Sequence, residues 1–164
     1  MNKAYLLTGG NIGDREQSLA MARELIESDC GEITHASSLY ETAAWGKTDQ
    51  PAFLNQALEI LTKLNAKQLI RHILKVEKKM GRVREEKYGA RIIDIDILLF
   101  NNEIHKTAFL KVPHPEMQNR RFVLAPLAEI APDAIHPVFL KTVAALLHAC
   151  PDQLEVKKVT DQMD

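Results

Sequence analysis

With 164 residues, 46% of them hydrophobic and 26% charged, the chain has enough apolar material for one domain with its own core. A formal net charge of −1 gives no global basic field for nucleic acid or an anionic membrane, so any polyanion must be met by a local cluster of cations. No apolar run approaches the roughly 20 residues of a membrane span, and the apolar part of MNKAYLLTGG is too short for a signal peptide. Cys30 and Cys150 lack the spacing of a zinc site; reduced thiols in a cytoplasmic protein are the simpler reading, with a disulfide between them left open.

KAYLLT (3–8) reads as a buried strand that stops at Gly9-Gly10, after which GGNIG turns the chain. Asp14 opens a helix with Gln17 at capping-box spacing, Leu19, Ala22, Leu25 and Ile26 give it one apolar face, and Gly31 follows its end. EITHASSLYET (32–42) reads as one strand, 43–51 as a loop, and FLNQALEILT (53–62) as another strand. Asn65 caps a second helix whose apolar stripe is Leu69, Ile70, Ile73, Val76 and Met80, with Lys75, Lys78 and Lys79 in water and Glu77 a surface charge among them. A basic loop, 81–91, leads into the strand of ARIIDIDILLF, expected to be central and covered on both faces. NNE (101–103) turns into a short extra strand, and helical segments follow near 123–129 and 140–149. The order β-α-β-β-α-β predicts an α+β, ferredoxin-like core with an extra C-terminal strand and helices, one domain over residues 1–164.

The chemistry concentrates at the end of that order. Asp94 and Asp96 stand two apart on a strand, so their carboxylates share a face with α-carbons roughly 6–7 Å apart. At an effective dielectric near 20 their repulsion is on the order of 2–3 kcal/mol, which calls for compensation. As a lone motif the pair is more often two wet aspartates at a strand mouth. Next to phosphate-binding cations it suits magnesium, which takes one or two carboxylates and completes its shell with water and substrate phosphates. Arg82, Arg84, Lys87 and Arg91 precede the pair, and Lys111, His114, Arg120 and Arg121 follow it. Either segment alone would be a solvated face; both together fit phosphoryl transfer, because the guanidinium fork binds phosphate oxygens bidentately. Gly9-Gly10 matches no phosphate-loop pattern and reads as a turn that lets the sheet approach a ligand. Trp45, the only tryptophan, sits in a polar loop, either as a pin or beside a planar-ligand pocket with Thr42, Phe53, Asn55 and Phe122.

GRVREEKYGARIIDIDILLF resembles the signature of the hydroxymethyl-dihydropterin pyrophosphokinases, ATP-dependent enzymes of folate biosynthesis. VPHPEMQNRRFVLAPLAEIAP is similar to that family's second hallmark, DQPAFLNQA to its substrate loop, and GGN to its Gly-x-Asn turn. Ala90 stands where the family usually has proline, and ETAAWG replaces a more proline-containing loop. The resemblance implies that Asp94 and Asp96 hold two magnesium ions on ATP as co-substrate. It implies phosphate contacts from Arg82, Arg84 and Arg91 on one side, with Arg82, Arg91 and Asp96 catalytic, and from His114 and Arg120 on the other, with Ile97 and Lys111 also at the nucleotide. Thr42, Ala43, Trp45 and Asn55 would bind the pterin, with Asp94 alongside, and Phe53 and Phe122 would sandwich its ring. The partners implied are these small molecules, with no nucleic acid or membrane, for a monomer. Two rival readings remain at this point: a metal-dependent nucleotidyltransferase that attacks the α-phosphorus, and a non-catalytic ligand-binding module.

Overall fold

The long apolar segments pair into one antiparallel sheet, because each has a face to bury against helices on either side. The structure, a computed structural model, describes residues 1–43, 51–81 and 92–159. β1 (Asn2–Gly10) lies between β4 (Phe53–Thr62) and β5 (Asp94–Phe100), and β4 pairs in turn with β2 (Glu32–Ala36) and β3 (Leu39–Thr42). β8 (Val156–Val159) closes the far edge against β3, and β6 (His105–Lys106) with β7 (Lys111–Val112) forms a separate two-stranded sheet. The α+β architecture expected from the sequence is what is found.

α1 (Arg15–Asp29) and α2 (Ala66–Lys79) cover one face, with Leu19, Ile26, Leu69, Ile73 and Val76 against Leu6, Leu58 and Ile95. α3 (Arg121–Ile130) and α4 (Val143–His148) cover the other, with Val123, Leu127 and Leu146 against Leu7, Ala57 and Leu99. The caps fall where the sequence places them. Asp14 accepts from the Gln17 amide at 3.0 Å, and Asn65 and Gln68 complete a reciprocal capping box.

Several expectations are corrected. β1 does not stop at Gly9-Gly10 but runs through both. The predicted strand 32–42 breaks at Ser37-Ser38: the Ser37 amide still reaches the Ala57 carbonyl, but the Ser37 hydroxyl takes the Ala57 amide and Glu129 takes the Ser38 amide in place of main-chain carbonyls. β5 is an edge strand of the sheet, not a central one, although both its faces are buried as expected. A register shift opposite Tyr5/Leu6 inserts Leu98 as an extra residue, so that Phe100 reaches the α1/α2 core while Leu98 and Leu99 join the other. The last helix begins at Val143, capped by Thr142, because Leu140 adopts a positive φ of 57°. β8 has no counterpart among the sequence-derived elements. Cys30 and Cys150 are free and belong to the cores on opposite faces of the sheet, which rules out a bond between them; burial pushes the Cys30 thiol up to about 12.

Candidate active site

Register builds the site before any loop contributes. Gly9 pairs with Asp94 on one side and with Asn55 on the other, and Leu7 pairs with Asp96 and Ala57 in the next row. Directly paired residues point to the same face, so both carboxylates and the Asn55 carboxamide project toward the α3 side. Between them Gly9 contributes no side chain, and the Asn55 carboxamide takes the space above it. Its glycine is required there by space: a Cβ would run into Asn55 Oδ1 and lie 3.3 Å from the Leu54 carbonyl.

The resulting cleft encloses about 670 Å³, its open mouth included. Leu7, Gly9, Asn55 and the two aspartates form its floor, Thr42, Ala43 and Phe53 one wall, and Arg120 and Phe122 the opposite one. Arg120 holds its guanidinium 5.9 Å from the Phe122 ring centre, within cation–π range. Asp94 and Asp96 are half-buried, so both desolvation and charge are in play. Asn55 and Thr42 are almost fully buried, at 4% exposure each, yet Asn55 Nδ2 and Thr42 Oγ1 have no hydrogen-bond partner among the described residues. Buried polar atoms are rarely left so, because desolvation without a partner costs about 1–3 kcal/mol each. Their positions suit the polar edge of a bound molecule.

The approach to the cleft is pinned from the start of α1. Asn11 Nδ2 donates to the Pro51 carbonyl at 3.0 Å and Arg15 to the Ala52 carbonyl at 3.0 Å, while Arg15 also pairs with Glu41 at 2.7 Å. These bonds hold the residues that lead into β4 against the turn that follows β1.

The remaining expected residues fall elsewhere. His114 and Lys111 line a neighbouring cleft of about 770 Å³ with His105, Lys106 and Phe139. Burial, reinforced by Arg120, holds the His114 imidazole below its ordinary value, although Asp94 and Glu116 oppose the shift. Its Nδ1 accepts from the Glu116 amide at 3.3 Å, which leaves Nε2 to carry the proton of the neutral ring. Ile97 turns its side chain into the α1/α2 core, away from the aspartates' face, so the ligand contact expected of it is left to its main chain. Arg121 turns aside as well: its amide and Nε bond Asp152, tying the chain end to α3. Trp45, Arg82, Arg84, Lys87 and Arg91 lie outside the described residues. Leu7 was not singled out in the sequence; only the strand pairing reveals that it floors the cleft.

Glu77 is the clearest correction. Read as a surface charge among lysines, it is 3% exposed, and its Oε2 accepts the Ile95 amide at 2.7 Å. The helical period carried the signal, since Glu77 lies four residues from Ile73 on the buried stripe.

The family model for 7,8-dihydro-6-hydroxymethylpterin-pyrophosphokinase matches residues 5–132. A relative from Bacillus subtilis, named 2-amino-4-hydroxy-6-hydroxymethyldihydropteridine pyrophosphokinase, is 49% identical over 130 residues, 79% of this chain and 78% of its own. One of the same name from Aquifex aeolicus is 45% identical over 141 residues, 86% of this chain and 88% of its own. Among solved structures, a Plasmodium falciparum HPPK-DHPS superposes with a TM-score of 0.72 at 20% identity, over 91% of this chain, and supports the fold. The chain spans 43% of the length of that protein.

Proposed function

The chain belongs to the 7,8-dihydro-6-hydroxymethylpterin-pyrophosphokinase family and transfers pyrophosphate from ATP to the hydroxymethyl group of 6-hydroxymethyl-7,8-dihydropterin in folate biosynthesis, and we propose that the cleft above Gly9 is where it does so. The observation that carries this placement is a pair of polar atoms without a partner among the described residues, Asn55 Nδ2 and Thr42 Oγ1, buried in the same cleft as two carboxylates. A flat heterocycle with polar edges would satisfy both while Phe53 and Phe122 cover its faces, and Ala43 and Trp45 would complete its surroundings. Its hydroxymethyl group would then point along the row toward Asp94.

Among the described residues no three His, Cys, Asp or Glu side chains gather as a ready metal cage. Two half-buried carboxylates on one face of a cleft are the donor set that suits magnesium, whose remaining positions go to water and phosphate oxygens. Asp94 and Asp96 would hold two magnesium ions, which when bound neutralise charge on the phosphate oxygens.

The hydroxymethyl oxygen attacks the β-phosphorus, and AMP leaves. Asp96 would take the hydroxyl proton, and Asp94 would fix the hydroxymethyl arm. Arg120, the neutral His114 through Nε2–H, and Lys111 would hold the phosphates from one side, with the main chain at Ile97 next to the nucleotide. Arg82, Arg84 and Arg91 are assigned to the phosphates by family resemblance, Arg82 and Arg91 stabilising charge on the transferred group. We also read residues 1–164 as one pyrophosphokinase domain acting as a cytoplasmic monomer. Two free, buried cysteines suit a reducing compartment. The antiparallel order β5, β1, β4, then β2 and β3, supports a ferredoxin-like core with its second strand split.

The test is to incubate the protein with magnesium, ATP and the dihydropterin alcohol and to identify the nucleotide product. AMP is expected. Release of pyrophosphate would instead make the chain a nucleotidyltransferase, and no turnover would make it a binding module.

A further inference from the structure

We infer that Glu77 is a positioning residue for the reaction, orienting the Asp94/Asp96 pair through the main-chain amide between them; the inference rests on the cleft reading above. Glu77 lies on α2 in the stripe of Ala66, Leu69, Ile73 and Val76, where every other buried position is apolar. A carboxylate survives in such a layer only when hydrogen bonds replace its water. Its Oε2 receives the Ile95 amide at 2.7 Å, the length of a charge-assisted bond.

The geometry gives this bond its consequence. β5 is an edge strand, so β1 can pair only one side of its backbone. The Ile95 amide is donated to α2, and Ile95 is itself 3% exposed, so this amide would otherwise meet an apolar layer. It is the central amide of Asp94-Ile95-Asp96: fixing it fixes the Asp94–Ile95 peptide plane, which carries the Asp94 α-carbon, and through Ile95 the course of the strand into Asp96. Farther along the same edge the His114 amide donates to the Leu98 carbonyl at 3.0 Å. Among the described residues the outer edge of β5 is thus held by these two bonds, and Glu77 supplies the one inside the aspartate pair. Glu77 sits beneath the sheet, on the face opposite the cleft, so it acts through the strand and touches no reacting atom.

Three variants of the full chain separate this role from simple packing. Glu77→Gln keeps an acceptor oxygen, Glu77→Leu fills the space without one, and Glu77→Asp draws the acceptor back by one methylene. Each is assayed for kcat, for pterin KM, and for Mn²⁺ affinity in the presence of a non-hydrolysable ATP analogue. Glu77→Leu is expected to lose about 10–100-fold in kcat and in Mn²⁺ affinity, the usual scale for groups that orient metal ligands, with pterin KM within about twofold. Glu77→Gln should stay within about threefold of wild type on both measures, a rescue on that same scale. Should Glu77→Leu fail to fold, Glu77→Asp makes the same comparison against Glu77→Gln. Folded Leu or Asp variants with wild-type turnover and Mn²⁺ affinity would overturn the inference, as would an equal loss in Glu77→Gln. A wild-type chain that makes no AMP would instead remove the reading of the cleft, and this inference with it.

Discussion

Strand β4 carries two buried polar side chains four residues apart on the same face, and they live under opposite regimes. Glu59, at 7% exposure, is saturated: Tyr5 Oη donates to it at 2.7 Å, Thr34 Oγ1 at 2.8 Å, and His35 Nδ1 lies at 2.8 Å. Burial pushes its carboxyl up, yet these hydrogen bonds together with Lys3 hold it below the ordinary value. Asn55, at 4%, has a donor that no described residue meets. Burial alone therefore does not distinguish structure from function. Satisfaction does: a polar group completed by its own chain belongs to the fold, and one left open awaits something from outside.

The sharpest way to break this contrast is at the floor of the cleft. Asp96→Ala is expected to fold normally and to lose about 10²–10³ in turnover, the scale of removing one electrostatic contact to the transition state. Near-wild-type rates at limiting magnesium would end the metal assignment. Gly9→Ala should destabilise the protein by about 1–3 kcal/mol, as overpacking does, and weaken pterin binding while sparing ATP affinity. Much of the stability loss should vanish in an Asn55→Ala background, because the collision is with that side chain; calorimetry of the double-mutant cycle decides it.

The two β4 residues should then respond oppositely. Glu59→Ala strips three groups of their acceptor and should cost about 1–3 kcal/mol of stability with turnover preserved. Asn55→Ala should change stability by no more than about 1 kcal/mol while sharply raising the pterin KM. Equal stability losses in the two variants would erase the distinction.

The smallest effect is in pH. Burial holds the His136 and His114 imidazoles below their ordinary value of 6.5. The unfolded chain then takes up those protons first, so their contribution to stability is intact above 6.5 and is lost as pH falls through the lower folded values. Glu59 and Glu129, held below 4.5, lose theirs only in more acid solution. Tm should therefore fall in two stages, and His136→Asn should shrink the first alone. Asparagine can still accept the Val138 and Phe139 amides that His136 Nδ1 takes now.

How much of this was legible beforehand depended on the range of the signal. Helix caps at Asp14 and Asn65 and the apolar stripes of α1 and α2 are local, and the structure keeps them. Thr42, Ala43, Phe53, Asn55, Asp94, Asp96, Arg120 and Phe122 were singled out from motifs and do meet in one cleft. What could not be read was pairing. Only register places Gly9 between Asp94 and Asn55, only sheet order makes β5 an edge, and only the extra residue at Leu98 sends Phe100 to the opposite core. Glu77 was misjudged for a related reason: its lysine neighbours in sequence are not its neighbours in space. The pairing of β8 with β3 joins residues more than a hundred apart, beyond the reach of any local pattern.

The row Asp94–Gly9–Asn55 also works as a ruler. Two interstrand spacings, about 9.5 Å in all, separate the main chains that carry the carboxylate and the carboxamide, and the backbone ladder sets that interval. An analogue whose hydroxyl arm is one carbon longer or shorter would bring its oxygen to the wrong graduation even when its ring binds well. Such compounds should occupy the cleft as inhibitors and turn over poorly, and no substitution in the surrounding loops should recalibrate the scale.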